Sequence, residues 1–206
     1  MSTSFFEFRS GCACKVKKGH LLILPEFGHP TVSYESIYTH PLIRNTFNGW
    51  VMNYSNKSKN LDDLSKDLEN FLKRTKILNL HVLCHGSSHI LLKNIPQKTK
   101  IILINPTLMV PSHQNNIQKS RMMELRVKRG FRQFFPQEYN MLAKSVKVES
   151  YMFSDVPCLV MFSKGMSNMD ITRYYPNIRI EEIQVTESTI NPRNVQNFID
   201  PIMSFI

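Results

Sequence analysis

Short apolar runs alternate with amphipathic segments along most of the chain. The apolar runs predict six strands, at residues 20–25, 49–54, 78–84, 100–106, 156–164 and 177–185. Between and after them, helical spacing predicts helices at residues 34–44, 60–74, 88–94 and 191–206. This alternation favours an α/β domain with a doubly wound, mostly parallel sheet of about six strands. Functional atoms are then expected at the carboxyl ends of the strands.

The chain divides by composition into three parts. Residues 1–19 precede the first predicted strand, contain Lys15, Lys17 and Lys18, and are predicted to form a basic N-terminal arm. Residues 20–206 have the length of a single domain with one core. Residues 107–150 have helical character and no strand of their own, so they are predicted to be a cap insertion.

The charge is strongly positive. Twenty-six Lys and Arg against sixteen Asp and Glu give a formal net charge of +10, while hydrophobic residues make up 42% of a composition typical of globular proteins. Such a field attracts anions, which include nucleic acid, acidic lipid headgroups and acidic proteins. A solvated basic surface with no particular partner explains the charge equally well.

The predicted cap contains the densest basic segment, residues 118–135. Its cationic side chains alternate with apolar ones, so that a helix here has one charged and one apolar face. Such a helix can hold phosphates, lie on an anionic membrane, bind an acidic protein, or simply cover the domain with its basic side in water. The candidate anion-binding residues are Arg121, Arg126, Lys128, Arg129 and Arg132.

Cysteine use and the N-terminus favour an intracellular protein. Four cysteines in 206 residues do not resemble a disulfide scaffold, and Cys12 and Cys14 are spaced too closely for a zinc pair. The basic residues of the N-terminus follow its apolar group, which is the reverse of a secretory signal, and no segment is long and apolar enough to span a bilayer. We expect no export, no metal and no cofactor.

Several motifs occur in the order found in α/β-hydrolases. "LLILPEFGHP" resembles the strand and oxyanion loop of that family, "HVLCHGSSHILL" its nucleophile elbow, "IILINP" the next strand and "VPCLVMFSKGMSNMD" the strand that carries the acid. The resemblance covers the chain from about residue 20 onward. It implies an α/β-hydrolase-like fold with a helical cap.

The resemblance also assigns roles to residues. Ser87 stands in the nucleophile's place, but a shift of one residue puts Gly86 there instead. Ser87 and Ser88 are equally compatible with turn and helix-capping roles. The further candidates are His85 and His89 for proton transfer, Asp170 for the acid, and Phe27, Gly28 and Ser88 for the oxyanion donors.

The family's histidine has no counterpart in the expected place. All seven histidines lie at or before residue 113, whereas the family places its histidine just before the last helix. Glu26 also stands in the oxyanion loop, where its charge would oppose an oxyanion. We therefore expect a noncatalytic binding or structural subunit of a nucleic-acid-containing or other anionic assembly. The alternative is a divergent serine esterase or thioesterase that uses Ser87.

Overall fold

The computed structural model describes nine stretches of the chain. They are residues 4–8, 19–26, 29, 31–54, 61–92, 99–106, 156–165, 178–186 and 190–206, with the backbone alone at residues 61, 62, 87 and 90. The predicted cap and its anion-binding residues lie outside them.

One mixed sheet organises the described residues. Its strands are β1 (Ser4–Phe8), β2 (Gly19–Leu24), β3 (Phe47–Asn53), β4 (Leu80–His85), β5 (Lys100–Ile104), β6 (Cys158–Ser163) and β7 (Ile178–Ile183). The strand order is β1-β3-β2-β4-β5-β6-β7, with β1 antiparallel to β3 and every other neighbouring pair parallel. The prediction of a doubly wound, mostly parallel α/β sheet is confirmed.

The first strand was not predicted. Residues Ser4 to Phe8 pair antiparallel with β3 at the edge of the sheet, and the Phe8 side chain is buried. These residues were predicted to belong to a basic arm, because the Lys-rich segment that follows them dominates the composition. The N-terminus therefore contributes a seventh strand, while residues 9–18, with the basic group, lie outside the described ranges.

Helices cover both faces of the sheet. They are α1 (Glu35–Tyr38), α2 (Pro41–Thr46), α3 (Leu61–Thr75) and α4 (Val195–Phe205), with 3₁₀-helices at Thr31–Tyr34 and Gly86–Leu91. The single helix predicted over residues 34–44 is divided at Thr39 and His40, since the residue before Pro41 is held in an extended conformation. The terminal helix begins four residues later than predicted, after a turn in which Asn191 and Asn194 accept backbone hydrogen bonds.

The core consists of two apolar layers, one on each side of the sheet. Leu22, Leu24, Val82 and Leu103 face α3. The residues that alternate with them along the strands face α1, α2 and α4 on the other side. Both faces of the central strands are thus buried, which explains why β2, β4 and β5 have continuous apolar sequences rather than alternating ones. Among the described residues, no helix has the length and hydropathy needed to cross a membrane.

Phe198 on α4 provides a test of this second layer. Its side chain is fully buried, so we expect Phe198→Ala to lower the free energy of unfolding by roughly 3–5 kcal/mol in a urea titration. Phe6→Ala is the matched control, because Phe6 is 50% exposed on β1, and its loss should be about 1 kcal/mol or less. Equal losses in the two variants would contradict the assigned packing.

Candidate functional site

The pairing of β2 with β4 brings two loops together. The two strands are parallel, with Leu24 opposite Cys84, so both chains leave the sheet at the same edge. The segment that begins with Pro25 and Glu26 therefore lies beside the turn that begins with His85 and Gly86. In a parallel α/β sheet, ligands bind at this edge.

The turn after β4 has a left-handed residue at its start. Gly86 has φ +60°, and the 3₁₀-helix Gly86–Leu91 continues from it. In hydrolases of the resembled family, a sharp and strained turn of this kind presents the nucleophile. Of the two registers left open by the sequence, the backbone places Gly86 at the strained position and Ser87 immediately after it. The side chain of Ser87 lies outside the described part of the structure.

Ser88 connects the turn to the neighbouring strand. Its hydroxyl oxygen is 2.8 Å from the Leu24 carbonyl oxygen and 3.0 Å from the His85 carbonyl oxygen, and it accepts the His85 N–H at 3.1 Å. The Ser88 N–H donates to the His85 side chain, which completes a reciprocal cap. Ser88 is thus a structural residue of the turn, and to act as the predicted oxyanion donor its N–H would have to leave the His85 ring.

A buried tyrosine joins the two loops. The Tyr34 hydroxyl oxygen accepts the Glu26 N–H at 2.8 Å and lies 2.7 Å from His85 Nδ1. Tyr34 and His85 are 1% and 2% exposed, so this connection is shielded from water. A buried polar group without a partner is costly, so each member holds the others in place. The structure therefore places His85, a predicted proton-transfer residue, inside the wall of the site.

His89 is also buried within the turn. Its Nδ1 lies 2.9 Å from the Gly86 carbonyl oxygen, which can only accept, so Nδ1 carries the proton. Burial, opposed by that hydrogen bond, lowers the pKa of His89 from 6.5 to about 4. His89 is therefore neutral at physiological pH, and it supports the backbone of the strained residue.

Glu26 lies directly over Gly86. A Cβ placed on Gly86 would be 2.7 Å from Glu26 Oε1 and 2.8 Å from both Cδ and Cγ. The carboxylate side chain thus fills the space that a side chain on the strained residue would need. Glu26 Oε2 is 3.3 Å from His29 Nε2, and the turn between them is closed by a 2.9 Å hydrogen bond from the His29 N–H to the Glu26 carbonyl oxygen.

The loop that carries Glu26 is fixed from a third direction. The Tyr54 hydroxyl, at the end of β3, donates to the Pro25 carbonyl oxygen at 2.8 Å. Burial, followed by the influence of Cys84 and Tyr34, raises the pKa of Tyr54 well above its usual value, so Tyr54 stays a donor. Residues at the ends of β2, β3 and β4 therefore hold the backbone around Glu26.

The next two strands end in a buried polar pair. Asn105, which follows β5, donates from Nδ2 to the Ser163 hydroxyl at 2.9 Å and accepts the Ser163 N–H at 2.7 Å. Both side chains are buried. This pair fixes the strand end after which the resemblance expects an acid, but the predicted Asp170 lies outside the described residues.

Some predicted positions remain predictions. Phe27 and Gly28, the predicted oxyanion donors, and all five predicted anion-binding residues also fall outside the described ranges. Within those ranges, no three His, Cys, Asp or Glu side chains are close enough to hold a metal ion.

Two residues of the candidate site, His29 and Tyr34, were not predicted from the sequence. His29 was counted only among the histidines, although "EFGH" places it three residues after Glu26, a spacing that a single turn brings together. Tyr34 gave no signal, because its partner His85 is 51 residues away in the chain.

Gly86 supports a stability prediction with a matched control. Gly86→Ala should cost about 1–2 kcal/mol for the left-handed backbone and about 0.5–1.5 kcal/mol more for turning the flexible Glu26 side chain aside. Gly165→Ala should cost only the backbone part, because Gly165 has φ +77° and nothing within 4 Å of its Cβ position. Chemical denaturation measures both losses. The excess at Gly86 should disappear in a Glu26→Ala background, and equal losses at Gly86 and Gly165 would disprove the contact.

His89 supports a prediction about acid stability. Its pKa is about 4 in the folded state and near 6.5 in the unfolded chain, so protons bind the unfolded chain first. Its contribution is complete above pH 6.5 and is lost as the pH falls toward 4, by about 3 kcal/mol in total. Unfolding titrations between pH 4 and 7 should therefore show a shallower pH dependence for His89→Asn, whose amide can still donate to Gly86. An unchanged slope would contradict this assignment.

Comparison with known proteins shows structural similarity without detectable sequence similarity. No family model matches the chain, and no curated protein sequence matches it significantly. The structure of a carboxylesterase from the ammonia-oxidising thaumarchaeon Nitrososphaera gargenis has a TM-score of 0.74 at 13% identity, over 98% of this chain and 93% of its own. An esterase from a marine microorganism has a TM-score of 0.70 at 12% identity, over 100% of this chain and 99% of its own.

A probable hydrolytic enzyme from Pseudomonas aeruginosa has a TM-score of 0.71 at 11% identity, over 99% of this chain and 94% of its own. These comparisons correct the expectation of a noncatalytic binding or structural subunit. The similar structures are hydrolytic enzymes, and the similarity extends over nearly the whole of each chain. That expectation was wrong, and it rested mainly on the missing late histidine. The resemblance found in the motifs is confirmed at the level of structure: the chain has the α/β-hydrolase fold.

Proposed function

We propose that the chain is a hydrolase that cleaves a carboxylic ester or thioester at the turn after β4. The observation that carries this proposal is the strained turn directly after the buried central strand β4, because hydrolases of this fold present their nucleophile from a turn at this place. The left-handed residue of the turn is Gly86, so the hydroxyl has to come from a neighbouring residue. The esterases among the similar structures support the same reaction class.

Ser87 is the proposed nucleophile. It follows the strained Gly86 as the second residue of the 3₁₀-helix, so it is the first residue after the left-handed position that has a hydroxyl group. Attack of this hydroxyl on the substrate carbonyl forms an acyl-enzyme and releases the alcohol or thiol, and water then releases the acid. The surrounding bonds of Ser88, His85 and His89 fix the backbone of Ser87, which orients the attack.

A fluorophosphonate probe tests this proposal. Wild-type protein should be labelled once per chain and should hydrolyse p-nitrophenyl butyrate or a butyryl thioester. Ser87→Ala should abolish the labelling and lower kcat/KM by roughly 10³-fold or more, because the nucleophile is lost.

Ser204→Ala is the matched control, since Ser204 is exposed on α4 and its hydroxyl donates to the Pro201 carbonyl of the same helix. It should keep full labelling and activity. Hydrolysis that persists unchanged in Ser87→Ala would reject Ser87 as the nucleophile, and a wild-type chain inactive toward both substrates would reject the function.

A further inference from the structure

The Glu26 carboxylate lies close to the proposed reaction site. A Cβ on Gly86 would be 2.7 Å from Glu26 Oε1, and Ser87, the proposed nucleophile, is the next residue along the chain. Consecutive Cα atoms are about 3.8 Å apart, so this carboxylate oxygen is within about 8 Å of the Ser87 Cα. This limit follows from the backbone alone. A substrate that reacts with Ser87 is therefore within range of the Glu26 charge.

The surroundings of Glu26 do little to weaken that charge. Its side chain is 20% exposed, so most of the water that would screen it is excluded. Tyr34, Ser88 and His89, which are buried around the turn, are neutral at physiological pH and provide no opposite charge. Lys164 follows β6, two strands from β4, and its side chain is exposed, so solvent screens it.

His29 compensates the charge of Glu26 in only one of its two protonation states. Its Nε2 is 3.3 Å from Glu26 Oε2, and this contact is an ion pair only when the imidazole is protonated. With a neutral imidazole, the pair keeps the negative charge of the carboxylate. That charge opposes the oxyanion that forms when a neutral ester is attacked.

We infer that this hydrolase is selective for esters or thioesters that carry a positive charge, with Glu26 as the specificity-determining residue; the inference rests on the proposed function. A cationic group on the substrate is attracted by the carboxylate, and its charge offsets the repulsion between Glu26 and the oxyanion. A neutral ester of the same shape has only the repulsion. For opposite charges about 8 Å apart near a protein surface, the attraction corresponds to a selectivity of roughly 10–30-fold.

The overall charge of the chain acts in the opposite direction. A net charge of +10 attracts anions at long range and repels cations. A preference for a cationic substrate therefore has to come from a group close to the reacting atoms. Removing the charge of that group should remove the preference.

Two esters of the same shape test the inference. Butyrylcholine carries a quaternary ammonium group, and 3,3-dimethylbutyl butyrate is its neutral carbon isostere. The ratio of kcat/KM for butyrylcholine to kcat/KM for the isostere should fall by roughly 10–30-fold in Glu26→Gln, because the attraction is lost. The measurement is made at pH 8, where an imidazole is ordinarily neutral. A shift of the loop would change both rates alike, so the ratio reports the charge.

Glu181→Gln is the matched control, because Glu181 lies on β7, three strands from β4. It should keep the wild-type ratio. Glu26→Ala is a second variant in case Glu26→Gln does not fold, and it should lower the ratio equally. Circular dichroism identifies the folded variants.

An unchanged ratio in either folded Glu26 variant overturns the inference. So does an enzyme that hydrolyses p-nitrophenyl butyrate but not butyrylcholine. A wild-type chain that hydrolyses neither p-nitrophenyl butyrate nor a butyryl thioester overturns the proposed function instead.

Discussion

The parallel pairing of β2 with β4 is the constraint on which the site depends. With Leu24 opposite Cys84, the loop that carries Glu26 and the turn that carries Gly86 leave the sheet side by side. The Ser88 hydroxyl, hydrogen-bonded to the Leu24 carbonyl, fastens the turn to β2 in this register. A slip of one residue would move every side chain of β4 to the opposite face and would separate the two loops. The geometry of the candidate site is thus a consequence of strand register.

Around this junction the buried side chains that hold the loops in place are polar but neutral, and the charged Glu26 lies closer to the solvent. Burial lowers the pKa of His89, and the buried hydroxyls of Tyr34 and Ser88 carry no charge at physiological pH. Each of these side chains is hydrogen-bonded to a backbone group, which offsets the cost of its desolvation. The Glu26 carboxylate, in contrast, keeps part of its surface in water. Because the neutral side chains are buried and the carboxylate is partly solvated, the desolvation cost of holding the Glu26 charge in place is limited.

The sequence was sufficient for the fold because most strands are buried on both faces and therefore have continuous apolar runs. It failed for Ser4 to Phe8, whose short edge strand alternates weakly and precedes a Lys-rich segment. It also left the register of the turn open, since Gly86 and Ser87 differ by one position and only the backbone φ separates them. The contacts of Tyr34 with Glu26 and His85 are invisible in a linear pattern, because they depend on how three segments fold together. The sequence therefore indicated which turn and which edge of the sheet carry the candidate site, but not the contacts that Tyr34 and His29 make there.

The carboxylate over Gly86 restricts how this chain can evolve. In the family it resembles, the strained residue of the turn is the nucleophile itself, and a serine at position 86 would restore that arrangement. While Glu26 is present, any larger residue at position 86 meets its carboxyl group. A side chain at position 86 therefore has to turn the Glu26 side chain aside, and a smaller residue at position 26 removes that cost in advance. One order of the two substitutions is thus easier than the other, which favours a direction on the mutational path between two forms of one fold.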